Sequence, residues 1–270
     1  MFLIFQAIII GIVEGITEFL PISSTGHMII AGSLINFKGD FANLFSIVIQ
    51  LGAILAIVVL YWGKISNSLQ NLAPGKSGFK FWSNIMIAFV PSAAAGFLLK
   101  DYIDKYLFNT ATVALALIVG GFLMIYMENR YRNNNSVTSL DNISPLQALQ
   151  IGFFQCLSLW PGMSRSASTI MGAWTSGLSN VAAAEFSFFL AIPTMVAAST
   201  YSLLKADFTM SGLEMVALAV GFVVSFVVAL LVVDGFINFL KKKPMKVFAW
   251  YRILVGFIFI GLIYSGILKL

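Results

Sequence analysis

Glu14, Glu18, Ser23, Ser24, Thr25 and His27 lie within the stretch EGITEFLPISSTGH, directly behind the apolar run MFLIFQAIIIGIV. Ionisable side chains at membrane depth are costly and rare, so a cluster of this kind is read first as a functional site. On a helix Glu14 and Glu18 share one face, a turn apart. Two carboxylates that close repel in a low dielectric unless one holds a proton or a cation lies between them. Mg²⁺ and Ca²⁺ take hard oxygen ligands of this type and are often completed by substrate phosphates. Carboxylates that merely end a helix at the membrane surface are the plainer alternative. The turn PISSTGH adds three hydroxyls, a Gly26 that lets the backbone approach a ligand, and His27, the only histidine of the chain. Histidine titrates near neutral pH without perturbation. Near a serine it can act as general base or as a nucleophile itself. A serine or threonine ahead of a helix can also be no more than an N-cap.

A second polar cluster, WPGMSRSAST, supplies the complementary charge. Arg165 is the only basic residue between Arg132 and Lys205, and it is set among Ser164, Ser166, Ser168 and Thr169. A guanidinium fork beside hydroxyls and free N–H groups at a helix start suits an anionic phosphate. A counter-ion role toward Glu14 or Glu18 is the competing reading, and the two are compatible. Gln50 and Glu185 fall within apolar spans and could stand behind the site, whereas Glu214 and Asp234 fall near span ends, where headgroups can reach them.

The elements that must hold these clusters are membrane helices. Of the 270 residues 59% are hydrophobic and 10% charged, with a mean hydropathy of +0.93, which excludes an ordinary soluble domain. Continuous apolar runs of about 20 residues indicate spanning helices rather than barrel strands. The basic residues behind the net charge of +5 lie in short loops, so they set topology and are not a nucleic-acid signal. The single cysteine, Cys156, excludes an internal disulfide and a cysteine metal site and reads as a small apolar residue. No Lys or Arg precedes Lys38, so the N-terminal run is not expected to be a cleaved signal peptide.

Residues 1–35 are broken at Pro21 and the following hydroxyls, with neither half long enough to span, which predicts a re-entrant helix hairpin. Non-helical backbone inside a bilayer is tolerated only where protein or water covers it, so this break should line a cavity. Spans are expected at about 41–62, 81–99 and 111–128, completing a first repeat over 1–128. A polar, cytoplasmic connector follows at 129–144. A second repeat over 145–270 comprises a hairpin at 145–177 and spans at about 181–204, 212–239 and 248–268. Residue matches at a spacing of 141 support it: Gln6 with Gln147, Ala7 with Ala148, Gly11 with Gly152, Ser23 with Ser164, Phe45 with Phe186 and Ser46 with Ser187. Three crossings between the hairpins invert one half relative to the other, giving an all-α polytopic membrane protein with an inverted-topology repeat and a site near the midplane.

Loop charge orients it. Lys64, Lys76, Lys80, Arg130, Arg132, Lys241, Lys242, Lys243 and Lys246 fall on one side; Lys38, Lys100, Lys105, Lys205 and Lys269 fall on the other, diluted by Asp40, Asp101, Asp104 and Asp207. The positive-inside rule places the richer group in the cytoplasm, both termini outside and the first hairpin entering from the outer face. The lysines at 241–243 also suit anionic lipid.

EGITEFLPISSTGH together with PGMSRSAST, and with the segments QLGAILA and FSFFLAIP, resembles the undecaprenyl pyrophosphate phosphatases, the bacitracin-resistance proteins of the BacA type. The resemblance covers the whole chain. It implies a multi-pass enzyme of the bacterial cytoplasmic membrane that hydrolyses undecaprenyl pyrophosphate to undecaprenyl phosphate and inorganic phosphate, recycling the lipid carrier of the cell wall, with its pocket on the outer, periplasmic side. It also implies dependence on Mg²⁺ or Ca²⁺, with Glu14 and Glu18 as the glutamate pair, Ser24 and His27 as catalytic serine and histidine, and Arg165 as the phosphate-binding arginine. Ser23, Thr25, Gly26, Ser164, Ser166 and Thr169 would support substrate binding. The lipid substrate and membrane lipids are the expected partners, and a homodimer is left open. Whether Ser24, His27 or water is the nucleophile is undecided at this level. A lipid-phosphate flippase on an inverted-repeat scaffold is the competing function.

Overall fold

A computed structural model describes residues 2–132, 136–204 and 210–268. Lys205, Asp207 and Lys269, used above to assign sides, lie outside the described residues. Helices follow one another throughout, and six of them are long and apolar enough to cross a membrane. The chain opens with α1 (Phe2–Thr17) and α2 (Ser24–Leu34), both too short to cross, and continues through α3 (Asp40–Leu60), α4 (Trp62–Gln70), α5 (Ser77–Tyr102) and α6 (Thr110–Tyr131). It then repeats a short pair, α7 (Pro145–Gln155) and α8 (Arg165–Thr175), before α9 (Asn180–Leu203), α10 (Gly212–Leu240) and α11 (Lys246–Tyr264). The six long helices are α3, α5 with the single π turn that extends it to Leu107, α6, α9, α10 and α11. The chain is thus a multi-pass membrane protein. The amphipathic helix α4 is an addition to the sequence reading, carrying Lys64 against the rings of Phe81 and Phe189.

Helix ends follow local rules. Ser144 and Gln147 form a reciprocal capping box ahead of Pro145, and Ser211 with Glu214 does the same for α10. The two breaks are less ordinary. Ser23 and Ser164, the N-caps of α2 and α8, both sit at positive φ, 72° and 69°, and accept from the backbone N–H of Gly26 and Ala167. A non-glycine residue in this region is uncommon and is a local strain held by its surroundings.

Packing follows a paired pattern. The short helix α1 lies along α10 and the short helix α7 along α5, while α3 packs on α10 and α9 on α5, with α6 and α11 against each other. Small residues make this possible: a Cβ added at Gly11 or Gly15 of α1 would meet the backbone oxygens of Gly221 or Ser225 of α10 at 2.8 Å, the close approach that membrane helices obtain from glycine. Phe19, Phe186, Phe188, Phe189 and Trp174 fill the centre. Large apolar side chains such as Phe97, Leu98 and Leu231 face outward, as a lipid solvent requires.

Candidate active site

The two breaks meet. Glu18 lies in the turn just beyond α1, Ser24 opens α2 and Arg165 opens α8. Ser24 Oγ donates to Glu18 Oε2 at 2.6 Å, and Arg165 Nη2 donates to Glu18 Oε1 at 3.1 Å. The carboxylate therefore joins a hydroxyl from the first half to a guanidinium from the second. Arg165 is held at its other end by Nη1 bonds to the carbonyl and hydroxyl of Ser187 on α9, at 2.9 and 3.1 Å, and lies over the Phe19 ring. Its Nε is buried with no protein partner. Both charges are largely out of solvent, where breaking such a pair by removing one member costs about 3–5 kcal/mol.

These side chains line a cavity of about 260 Å³ bounded by Glu18, Ser23, Ser24, Thr25, Gln50, Ser164 and Arg165. Two helix N-termini, those of α2 and α8, open onto it. Unsatisfied N–H groups and the helix dipole make such ends favourable to anions. Adjoining it through Ser158, Thr194 and Ala198 is a second groove of about 390 Å³ between α5 and α9, mostly apolar and walled by Phe89, Phe97 and Leu159, with Lys100 at its lining.

Not every residue named from the sequence reaches the cavity. Ser166 donates to the Phe19 carbonyl at 2.8 Å and Thr169 to Ser187 Oγ at 2.7 Å, and both are fully buried, so their hydroxyls are spent on packing α8 against the first break and α9. Ser168 bonds back to the Ser164 carbonyl, and Gly26 packs toward Leu117. His27 makes no hydrogen bond to Ser24. Its Nδ1 lies 2.8 Å from the Ser23 carbonyl oxygen and its Nε2 2.8 Å from the Tyr251 hydroxyl. Glu14 sits behind Glu18, close enough for the two carboxylates to repel or share a proton, and no N–H or hydroxyl donor reaches its fully buried oxygens.

That carboxylate pair is the feature that fits a divalent cation. Two buried carboxylates side by side are costly unless they share a proton or hold a cation, and Glu14 with Glu18 offers the hard oxygen donors that Mg²⁺ or Ca²⁺ prefers. Among the described residues no cluster of three carboxylate, histidine or cysteine ligands exists, so water and substrate phosphate oxygens would have to complete the shell.

Three residues of the site region were not singled out as site residues from the sequence, although Ser187 falls in the repeat match and in FSFFLAIP. Ser187 anchors Arg165 from within an apolar span. Tyr251 holds His27. Arg252, fully buried, donates from Nη2 to the carbonyls of Gly162 and Met163 at 3.1 and 2.9 Å and from Nη1 to that of Pro21 at 3.5 Å, joining the two breaks. Its partners are backbone carbonyls, which leave no complementary side chain for a sequence to display.

Known proteins resemble the chain over nearly its whole length. The chain is 58% identical over 257 residues to the undecaprenyl-diphosphatase of Clostridium tetani, covering 95% of each protein. It is 57% identical to that of Clostridium novyi, covering 96% of each, and 55% identical to that of Thermoanaerobacter pseudethanolicus over the full length of both. The family model described as bacitracin resistance protein BacA matches residues 7–258, and the chain belongs to that family.

Proposed function

We propose that this protein is a membrane diphosphatase that hydrolyses undecaprenyl diphosphate to undecaprenyl phosphate and inorganic phosphate, and so returns the lipid carrier to cell-wall synthesis. The observation that carries the chemistry is the Ser24–Glu18–Arg165 constellation, a hydroxyl already donating to a carboxylate beside a buried guanidinium. The relatives' shared name supplies the substrate. The two grooves suit it: the polar cavity for the diphosphate, and the apolar groove beside it for the first part of the prenyl chain.

Ser24 Oγ attacks the terminal phosphorus, and its proton passes to Glu18 Oε2. The bond between that phosphorus and the bridging oxygen breaks, and undecaprenyl phosphate leaves. Water then attacks the phosphoserine, the bond between phosphorus and Ser24 Oγ breaks, inorganic phosphate leaves, and the proton held on Glu18 returns to Ser24 Oγ. Arg165 and the N–H groups at the starts of α2 and α8 stabilise charge on the transferring phosphoryl, which is where most phosphoryl-transfer catalysis lies. A Mg²⁺ or Ca²⁺ ion held by Glu14 and Glu18 would neutralise the diphosphate. Ser24 is favoured over His27 as nucleophile because its Oγ already donates to Glu18, whereas both His27 ring nitrogens are engaged by Ser23 and Tyr251.

The scaffold reading completes the proposal. The α1–α2 and α7–α8 pairs are two re-entrant hairpins in repeats spanning 1–128 and 145–270. The matched positive-φ caps Ser23 and Ser164, 141 residues apart, and the exchange of α1–α10 packing for α7–α5 packing support it. Ser24 and Arg165 are then the same position in the two copies. Loop charge orients the cavity toward the outer face of the bacterial cytoplasmic membrane.

Purified protein in detergent, with no gradient, is expected to release phosphate from a long-chain prenyl diphosphate and to lose that activity in EDTA. A carrier would release none, and release that survives chelation would remove the metal from the proposal.

A further inference from the structure

His27 has no part in the chemistry above, yet both its ring nitrogens are engaged. The Ser23 carbonyl facing Nδ1 can only accept, so Nδ1 carries a proton. In a neutral ring Nε2 is then the lone-pair nitrogen, and the Tyr251 hydroxyl 2.8 Å away donates to it. The two rings lie 6° from parallel with centroids 5.5 Å apart. Ser23, whose carbonyl His27 grips, is the residue held at φ 72°, and it directly precedes Ser24. The backbone of Ser23 thus sets where Ser24 opens α2 and its Oγ meets Glu18.

We propose that His27 is a positioning residue, that the Ser23 carbonyl sets its Nδ1–H tautomer while Tyr251 holds the lone-pair Nε2, and that the pair clamps the strained backbone of Ser23 so that Ser24 stays on Glu18. Arg252, the next residue on α11, is bonded to carbonyls of both breaks. The helix is therefore anchored independently, and Tyr251→Phe removes one hydroxyl without releasing α11. The Nδ1 proton follows from the geometry alone; the kinetic consequence rests on the diphosphatase reading.

Because His27 is the only histidine, protein carrying ¹⁵N-histidine and purified through a histidine-free tag reports this one ring. The ¹⁵N spectrum at neutral pH is expected to show a neutral ring protonated at Nδ1, with Tyr251→Phe keeping that tautomer but moving the Nε2 resonance as its lone pair loses a donor. An Nε2–H ring or an imidazolium in the wild type would overturn the clamp, whatever the enzyme's activity. Phosphate release supplies the second arm. His27→Asn places an amide N–H near the position of Nδ1 and is expected to stay within about tenfold of wild type, while His27→Ala loses about a hundredfold. Tyr251→Phe is expected to lower release by about tenfold in the wild type and not further in His27→Asn, since the two changes break one chain of bonds. Folded His27→Asn as inactive as His27→Ala would instead make the imidazole a base or nucleophile. Wild type that releases no phosphate would defeat the diphosphatase reading, and the tautomer would still decide the clamp.

Discussion

Ser24 and Arg165 meet at Glu18 because each is the first residue of a short helix, and each helix is entered through a serine at positive φ. Side chains at a helix start are aimed by the cap, so the caps determine where the hydroxyl and the guanidinium point. Ser23→Ala and Ser164→Ala each remove an oxygen that accepts from the third residue of the following helix. Each is expected to cost about 1 kcal/mol, read as a lower thermal midpoint in detergent. Glu18→Gln preserves volume but removes the carboxylate that can take the Ser24 proton and the charge beside Arg165. Phosphate release is expected to fall by about 10²–10⁴-fold, the usual range for a lost general base. Much of this was legible in residue types: paired glutamates, a hydroxyl turn and one arginine among serines. Ser166 and Thr169 were not separable from cavity residues, because a packed hydroxyl and a ligand-facing hydroxyl look alike in sequence. The position of His27 was open for a related reason, as its partner Tyr251 comes from α11, more than two hundred residues away.

At the scale of elements, α1 determines where Glu14 and Glu18 sit, and its depth against α10 depends on Gly11 and Gly15. Gly15→Leu would drive the helices apart at the turn that carries both carboxylates. Overpacking of this kind is expected to cost about 1–3 kcal/mol, measured as a lower thermal midpoint, with phosphate release falling more than the same change at exposed Gly63 of α4, where a side chain meets open space. The long helices were readable from apolar run length alone, since a bilayer sets that length. The helix α4 was not, because a nine-residue amphipathic helix after a span carries too little periodicity to separate from a loop. Arg252 was hidden by the opposite problem: it lies inside an apolar run that reads as an ordinary span.

At the scale of the whole molecule, a buried Arg165–Glu18 pair links one half of the chain to the other, and Arg252 bonds to both breaks from α11. A site assembled across the chain explains why neither polar motif is self-sufficient: the first holds carboxylates and a hydroxyl, the second the charge that balances them. Orientation is testable through single cysteines in a Cys156→Ala background. Exposed Lys38 and Lys76 belong to opposite loop groups, so Lys38→Cys is expected to react with an impermeant thiol reagent added outside intact cells and Lys76→Cys only after lysis. The reverse labelling would invert the molecule.

The central claim is that the two motifs form one catalytic unit, and non-additivity is its most direct measure. Phosphate release from a long-chain prenyl diphosphate would be compared among wild type, Glu18→Gln, Arg165→Ala and the double variant, all confirmed folded by thermal melts. Groups acting as a unit lose nearly everything with the first substitution, so the double variant is expected to be no slower than the slower single variant. Losses that multiply would contradict the account and place Glu18 and Arg165 at separate tasks.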